Sequence, residues 1–359
     1  MRRGLLELVI PGALVIGLCL WCCHDLLPLD FLHGLGDQHA AMEPQYRVHC
    51  LDWGTLSVPM EINAAGFVAG VEKCGRTGYM VPVTSEAAYR SMPEVCSGQN
   101  VRSISVNDAG RVVLTTDSRP REMDERQVYL LTPEKGEVCS LDLERAGVYF
   151  SGYAISDSGV IVGASLKKRE QTTWRAAAYD PASGFVQLDS VASCAFDINA
   201  RGQVVGCAEA KGGQVARLWE RDPDGAWLSV DLTEPLPPTT RAAAINDDGL
   251  VVGWIGAKRA FKWDAQRGLQ MLPPPPECSV CRATAVNNHG QIVGIAVKDD
   301  GSIGITWQDG RPVELNDLID PHSPYRIWQA HAINDAGAVA CTAWCSEFRE
   351  AVVLVPLDS

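Results

Sequence analysis

The residues able to do chemistry are few, and their types point to anion recognition before catalysis. Arg102, Arg241, Arg282 and Gln329 each stand four residues before an Ile or Val that opens an Asn-containing turn. Guanidinium forks bind planar oxyanions in a bidentate fashion, so three of them at matching places would gather a carboxylate, a phosphate or an acidic sugar. The alternative is that each Arg pairs with an acidic neighbour. A second group lies in Pro321-His322-Ser323-Pro324-Tyr325-Arg326-Ile327-Trp328. Tyr325, Arg326 and Trp328 are the residue types that dominate interaction hot spots, although Trp328 would fit equally well between packed strands.

Covalent and metal chemistry find little support. The sequence has no G-x-S-x-G elbow, no phosphate-cradling G-x-x-x-x-G-K-[ST], and no H-E-x-x-H among its seven histidines. Cys278-Ser279-Val280-Cys281 is a lone C-x-x-C behind Pro273–Pro276, without the second pair a structural zinc needs. It reads as a short loop disulfide. No catalytic residue, metal site or cofactor is assigned. The acids available to an enzyme are Glu61 and Asp197, each one residue before a repeated Ile.

Composition narrows the class. The chain has 359 residues, 46% of them hydrophobic and 21% charged, which excludes wholesale disorder. Acids outnumber bases 44 to 31, for a net charge of −13, so nucleic acid is not an expected partner. Met1-Arg2-Arg3 precedes an apolar run to Cys23, uncharged from Leu8 onward. That run is about 24 Å of helix, short for a membrane span and long for a signal-peptide core. Residues 1–23 therefore read as a membrane anchor or an export signal, a cytosolic chain being the remaining alternative. Residues 24–44 read as a linker. Either of the first two readings places the body outside the cytoplasm, where ten further cysteines suit disulfides.

An internal repeat decides the fold. Ile62-Asn63-Ala64-Ala65-Gly66 recurs, with variation, at Val106–Gly110, Ile155–Gly159, Ile198–Gly202, Ile245–Gly249, Val286–Gly290 and Ile333–Gly337. The turn glycines (Gly66, Gly110, Gly159, Gly202, Gly249, Gly290 and Gly337) are 44, 49, 43, 47, 41 and 47 residues apart. Most copies continue as x-Val-Val-Gly. Within residues 282–315, four β-prone runs alternate with Asn-Asn-His-Gly, Asp-Asp-Gly and Asp-Gly turns, which is an antiparallel meander. Such a unit exposes an apolar face on each side and buries both only by stacking around an axis. A period near 45 with four strands per unit predicts an all-β, seven-bladed β-propeller over residues 45–359. The last copy supplies three strands, and Tyr46–Asp52 supplies a fourth that completes its blade. Asn at the turn bonds the backbone two residues on, and the glycine takes positive φ. Tyr179, Trp219, Trp263 and Trp307 recur on the third strand as inter-blade core.

The Ile-Asn-x-x-Gly-x-Val-Val-Gly core, with a later Lys262-Trp263-Asp264 or Leu218-Trp219-Glu220, resembles the HAF-type probable extracellular repeat over about residues 46–359. The resemblance implies export and a β-rich repeat fold, and no reaction. The Asn turns define one face of the ring, and the longer, variable connections define the opposite, loop face. Variable loops on a rigid scaffold carry function, and the Arg positions and Tyr325–Trp328 belong there. Two further disulfides are expected: Cys74–Cys96 on the loop face and Cys194–Cys207 across one hairpin. The chain is read as a non-catalytic interaction scaffold for a protein or anionic glycan. The alternative is a propeller-type lyase or glycosidase with its site at the axial opening.

Overall fold

Each repeat folds on the two-residue alternation its sequence carries, and each reversal falls where Gly or Asn permits it. The computed structural model describes residues 43–51, 58–72, 77–83, 90–91, 100–117, 126–133, 135–141, 143, 147–167, 172–233, 240–256 and 258–357. These form seven four-stranded antiparallel sheets, in which every strand but the first pairs with a sequence neighbour. Blade 4 is representative, with Ser193–Ile198 innermost, then Val204–Ala210, Gly213–Arg221 and Trp227–Asp231. The other inner strands are Val58–Ile62, Asn100–Val106, Val148–Ile155, Arg241–Ile245, Val280–Val286 and Tyr325–Ile333. Each touches the inner strands of both neighbouring blades, and blade 7 meets blade 1. Tyr46–Cys50 pairs with Phe348–Pro356 as the outermost strand of blade 7. Residues 1–42, which carry the expected anchor and most of the linker, and Cys74 and Cys96 lie outside the described residues. No helix among the described residues is long and apolar enough to cross a membrane.

Apolar clusters lie between blades, as the alternation demands. One joins Ala154, Val162 and Leu188 of blade 3 to Ile198, Val204 and Trp219 of blade 4. Trp219 and Trp307 are buried, while Tyr179 and Trp263 pack at cluster edges. Arg217 donates to Asp189 at 2.7 Å and to Asp231 at 2.6 Å, and Trp219 Nε1 also donates to Asp189. These bonds fasten the blade 3–4 connection to the flank of blade 4.

The Asn turn does more than close a hairpin. Its Oδ1 accepts the amide four residues on in all six Asn copies. The bond two residues on is added only at Arg201, Asp248 and His289. The Nδ2 crosses to the next blade. Asn63 donates to Asn107 O, Asn107 to Ser156 O, Asn199 to Asn246 O, Asn246 to Asn287 O, Asn287 to Asn334 O, and Asn334 to Asn63 O, at 2.9–3.0 Å. A second tier runs beside it, the next residue's amide donating to an Asp or Asn carboxyl or amide oxygen one blade on. Ser156 has no Nδ2, and Ala200 has no acceptor for the amide of Asp157, so both tiers lapse between blades 3 and 4.

The last glycine of the repeat has a different cause. Six inner strands carry a bulge two residues before the repeated Ile or Val, as at Phe196 between Ala195 and Asp197. The bulge drives the preceding carbonyl against the facing strand. A Cβ on Gly206 would lie 1.9 Å from Cys194 O, and one on Gly253 2.0 Å from Arg241 O. Blade 2 has Leu114 at this position, and its bulge sits instead at Arg102.

Three outcomes follow for unfolding in denaturant. Ser156→Asn supplies the missing inter-blade donor and should stabilise by about 1 kcal/mol; no gain would mean that the ring of bonds is energetically idle. Gly202→Ala, where only positive φ (77°) opposes a Cβ, should cost about 1–2 kcal/mol. Gly206→Ala, which meets backbone, should cost about 3 kcal/mol or more.

Candidate functional site: the loop-face mouth of the ring

Strand direction assigns the faces. The Asn turns and the Asp309-Gly310 type of turn share one end, the turn face. The second-to-third connections and the blade-to-blade connections share the other.

At the loop-face end, Arg241, Arg282 and Gln329 occupy one register level, opposite Trp254, Ile295 and Thr342. Ser151 and Cys194 hold the same level in blades 3 and 4, opposite Ala164 and Cys207. Arg102 does not share it. In blade 2, where Leu114 stands for the glycine, the bulge falls on Arg102 itself, so the expected equivalence of the three arginines is corrected to two. The third cation near the arc is Arg126, at the start of a third strand, whose Nη1 donates to Ser151 Oγ at 2.7 Å.

Aromatic side chains brace these cations. Arg126 lies 4.2 Å over the Trp174 ring, Arg241 3.4 Å over Phe196 and 5.2 Å over Trp254, and Arg282 5.5 Å over Trp254. Tyr153 and Phe196, both bulge residues, pack with ring centroids 6.0 Å apart. An arc of alternating guanidinium and aromatic groups thus runs from blade 2 to blade 6. The phenol of Tyr153 is pushed up to about 12, mainly by burial, with Arg126 and Arg241 pulling it down. Burial alone lowers Arg282.

In blade 7 the nominated residues separate. Arg326 pairs with Asp300 at 2.8 Å on the surface. Tyr325 is half-buried on the blade 7 core, its hydroxyl raised by burial and by Cys50. Trp328 forms a T-shaped pair with Trp344, and Arg349 covers both rings at 4.0 and 4.8 Å. Phe348 stands exposed beside them at the hairpin tip.

The expected disulfides are corrected. Cys194 and Cys207 do face one another in register, yet both are free thiols, packed as apolar groups with Ala164, Phe196, Tyr153 and Trp174. Gln214 Nε2 donates to Cys207 Sγ at 3.4 Å. Cys278 and Cys281 are also free, because Cys281 turns into the blade 5–6 core while Cys278 stays half-exposed at its edge.

The turn-face end is acidic. Asp108 is raised by burial and by the charges of Asp157, Asp335 and Asp247. Deeper in, Glu61 is pushed up to about 8 by burial and then by Asp197. Asp197 reaches about 7 by burial, against the amides of Ile245 and Ile198 at 2.8 Å. The charge of Asp197 in blade 4 thus adds to the burial that raises Glu61 in blade 1. No group of metal ligands occurs among the described residues. Sequence reasoning missed Arg126, Tyr153, Trp174, Phe196 and Trp254. The available signal was the position two before the repeated Ile and the residue after Val-Val-Gly.

No protein-family model matches the chain, and no curated protein matches its sequence. Among solved structures it is similar to virginiamycin B lyase from Staphylococcus aureus, with a TM-score of 0.54 at 9% identity over 88% of this chain and 100% of that one. A streptogramin B lyase gives 0.53 at 13% identity over 87% and 98%. YCF48 bound to a D1 peptide gives 0.53 at 12% identity over 88% and 96%. At such identities the likeness establishes the fold. The protein is a seven-bladed β-propeller of four-stranded antiparallel blades.

Glu61 gives the site a pH signature. An unfolded Glu ionises near 4.5, whereas this one keeps its proton to about 8. Between those values the unfolded state binds fewer protons, so stability falls as pH rises across the window. Glu61→Gln should flatten that fall and raise the melting temperature at alkaline pH; parallel melting curves for both proteins would contradict the assignment.

Proposed function

We propose that the chain is an exported or membrane-anchored, non-catalytic propeller of the HAF-repeat kind, which presents its loop face to a partner protein. In this reading residues 1–23 anchor or export the chain, residues 24–44 form a linker to the body at 45–359, and the strand Tyr46–Cys50 acts as the clasp of the ring. The observation that carries the reading is the arc of arginines braced on aromatic rings at the loop-face mouth, in a protein whose net charge is −13. Positive charge gathered at one end of an acidic molecule steers an anionic partner to that end. The YCF48 structure with its D1 peptide is a propeller of this shape holding a polypeptide. An anionic glycan is the other partner class that the arginines would suit.

A photo-crosslinking amino acid tests the reading in the native host. Placed at Phe348, 52% exposed on the loop face, it should yield one discrete adduct. Placed at Asp309 on the turn face, it should yield none. Equal labelling at both positions would contradict the proposal.

A second reading, a carbohydrate-active lyase or glycosidase, is favoured by one observation: two buried carboxyls on inner strands, Glu61 and Asp197, are both held well above the usual carboxylate range. Paired carboxyls with perturbed titration are the equipment of general acid–base catalysis. Depolymerisation of an acidic polysaccharide by the full chain, abolished in Glu61→Gln, would favour that reading.

A further inference from the structure

We propose that the outer rim between blades 4 and 5 is a docking groove for a partner polypeptide segment that carries leucine-type residues three apart and an acidic residue beside them. The groove lies on the flank of the ring, and it does not depend on the loop-face reading above. Strand alternation assigns its walls. In blade 4, Leu218 belongs to the apolar cluster shared with blade 5. Val230 of the outermost strand pairs with Leu218 and Leu228 lies two residues earlier, so both project from that same face. In blade 5, Phe261 and Trp263 face the same cluster, and their outermost-strand partners are Met271 and Leu269. Four large apolar side chains therefore enter one wedge, continuing the blade 4–5 interface outward. All four stand open, Leu228 at 52%, Val230 at 43%, Leu269 at 40% and Met271 at 45%. They are half of the eight large apolar side chains exposed among the described residues, and gathering of that kind marks a contact surface where single exposed residues would not.

The blade 6–7 rim of the same ring shows what fits such a wedge. There the chain supplies its own plug: Leu315 and Leu318 of a 3₁₀ turn, with Ile319, are buried against both blades. Leu318 O accepts the amide of Gln45, which ties the plug to the strand that completes blade 7. Val313 and Val48, which match Val230 and Leu269 in register, are half-buried on that cluster. At the blade 4–5 rim Leu232 takes the place of Leu315 and is buried, while Val230 and Leu269 stay exposed. A segment with the plug's chemistry, brought by another protein, would extend the core there by the same kind of contact. The wedge admits one narrow segment, as the plug does, rather than the broad flank of a second ring. Charge sets the direction of the segment. Arg259 stands exposed at the loop-face end of the groove, opposite Ile255, where blade 6 places the buried Ile303. A cation at that end favours a segment with an acidic residue there.

The test uses the full chain and a fluorescein-labelled peptide with the plug's own sequence, residues 312–320, read by anisotropy. Saturable binding is expected. It should weaken about tenfold or more in Leu228→Glu and in Met271→Glu, each of which would bury a charge under the peptide. Arg259→Gln should weaken it about threefold at low salt, an effect lost near about 500 mM. Val138→Glu, at an exposed apolar position on the outer edge of blade 2, should leave binding unchanged. A peptide carrying Leu315→Asn and Leu318→Asn should not bind. Every altered position of the protein is exposed, and thermal melts identify any variant that nonetheless fails to fold. Absence of saturable binding to the unaltered chain overturns the inference, as does full-strength binding in both groove variants. A dimer in sedimentation that Met271→Glu converts to monomer overturns it too, because the groove would then be an interface between copies.

Discussion

One hydrogen bond organises this ring: the amide Nδ2 of a turn asparagine donating to the backbone carbonyl of the matching asparagine one blade on. A blade of four short strands has too little interior of its own to be stable. Except at Ser156, its turn is tied to the next turn by this bond, and the apolar clusters between blades share the load. The bond is buried at both ends, so removing one partner leaves a desolvated polar group, a cost larger than the net worth of the bond itself. Stability in such an array comes from the interfaces between units as much as from the units. The gap at Ser156 shows how the burden shifts. Where the turn-face bonds lapse, the Asp189–Arg217–Trp219 contacts hold the blade 3–4 connection instead.

The second constraint acts at the inner strands and shapes the candidate site. Each bulge rotates the chain just before the turn, and in five of the six bulged blades the residue facing it is a glycine, whose Cβ would meet the displaced carbonyl, while blade 7 carries Cys341 there. The same bulge sets which side chains reach the mouth of the ring. Where the glycine is kept, Arg241 and Arg282 fall on one level and the bulged residue, such as Phe196, packs beside them. Where Leu114 replaces it, the bulge moves and Arg102 leaves the level. The result is a ring with arginines at one opening and aspartates at the other, its two ends distinct in charge though built from the same repeat.

The fold was legible because repetition multiplied a weak local signal sevenfold. A single Ile-Asn-x-x-Gly turn would show only a hairpin; its recurrence shows how hairpins stack. The inter-blade half of the asparagine was not legible, since Oδ1 bonds locally and Nδ2 bonds 41 to 49 residues away, or 271 where Asn334 closes the ring on Asn63. Counting residues back from the repeated Ile placed Arg241, Arg282 and Gln329 correctly in register and failed for Arg102, because a bulge changes the count without marking itself in the sequence. Trp328 proved to be neither bare nor fully enclosed: it is half-covered by Arg349, a residue no local pattern linked to it. The thiols Cys194 and Cys207 were correctly placed opposite one another, and position alone did not settle their bonding.

Backbone hydrogen exchange at the turns tests the closed, mutually braced ring most directly. The amides of Gly66 in blade 1 and Gly337 in blade 7 each bond the asparagine three residues earlier, as does Gly249 in blade 5. If the bonded turns, together with the blade 3–4 contacts, brace one closed ring, the three should share one protection factor and open together in the global transition. Exchange at Gly66 and Gly337 faster by orders of magnitude, with Gly249 still protected, would mean that the circle opens between the last blade and the first.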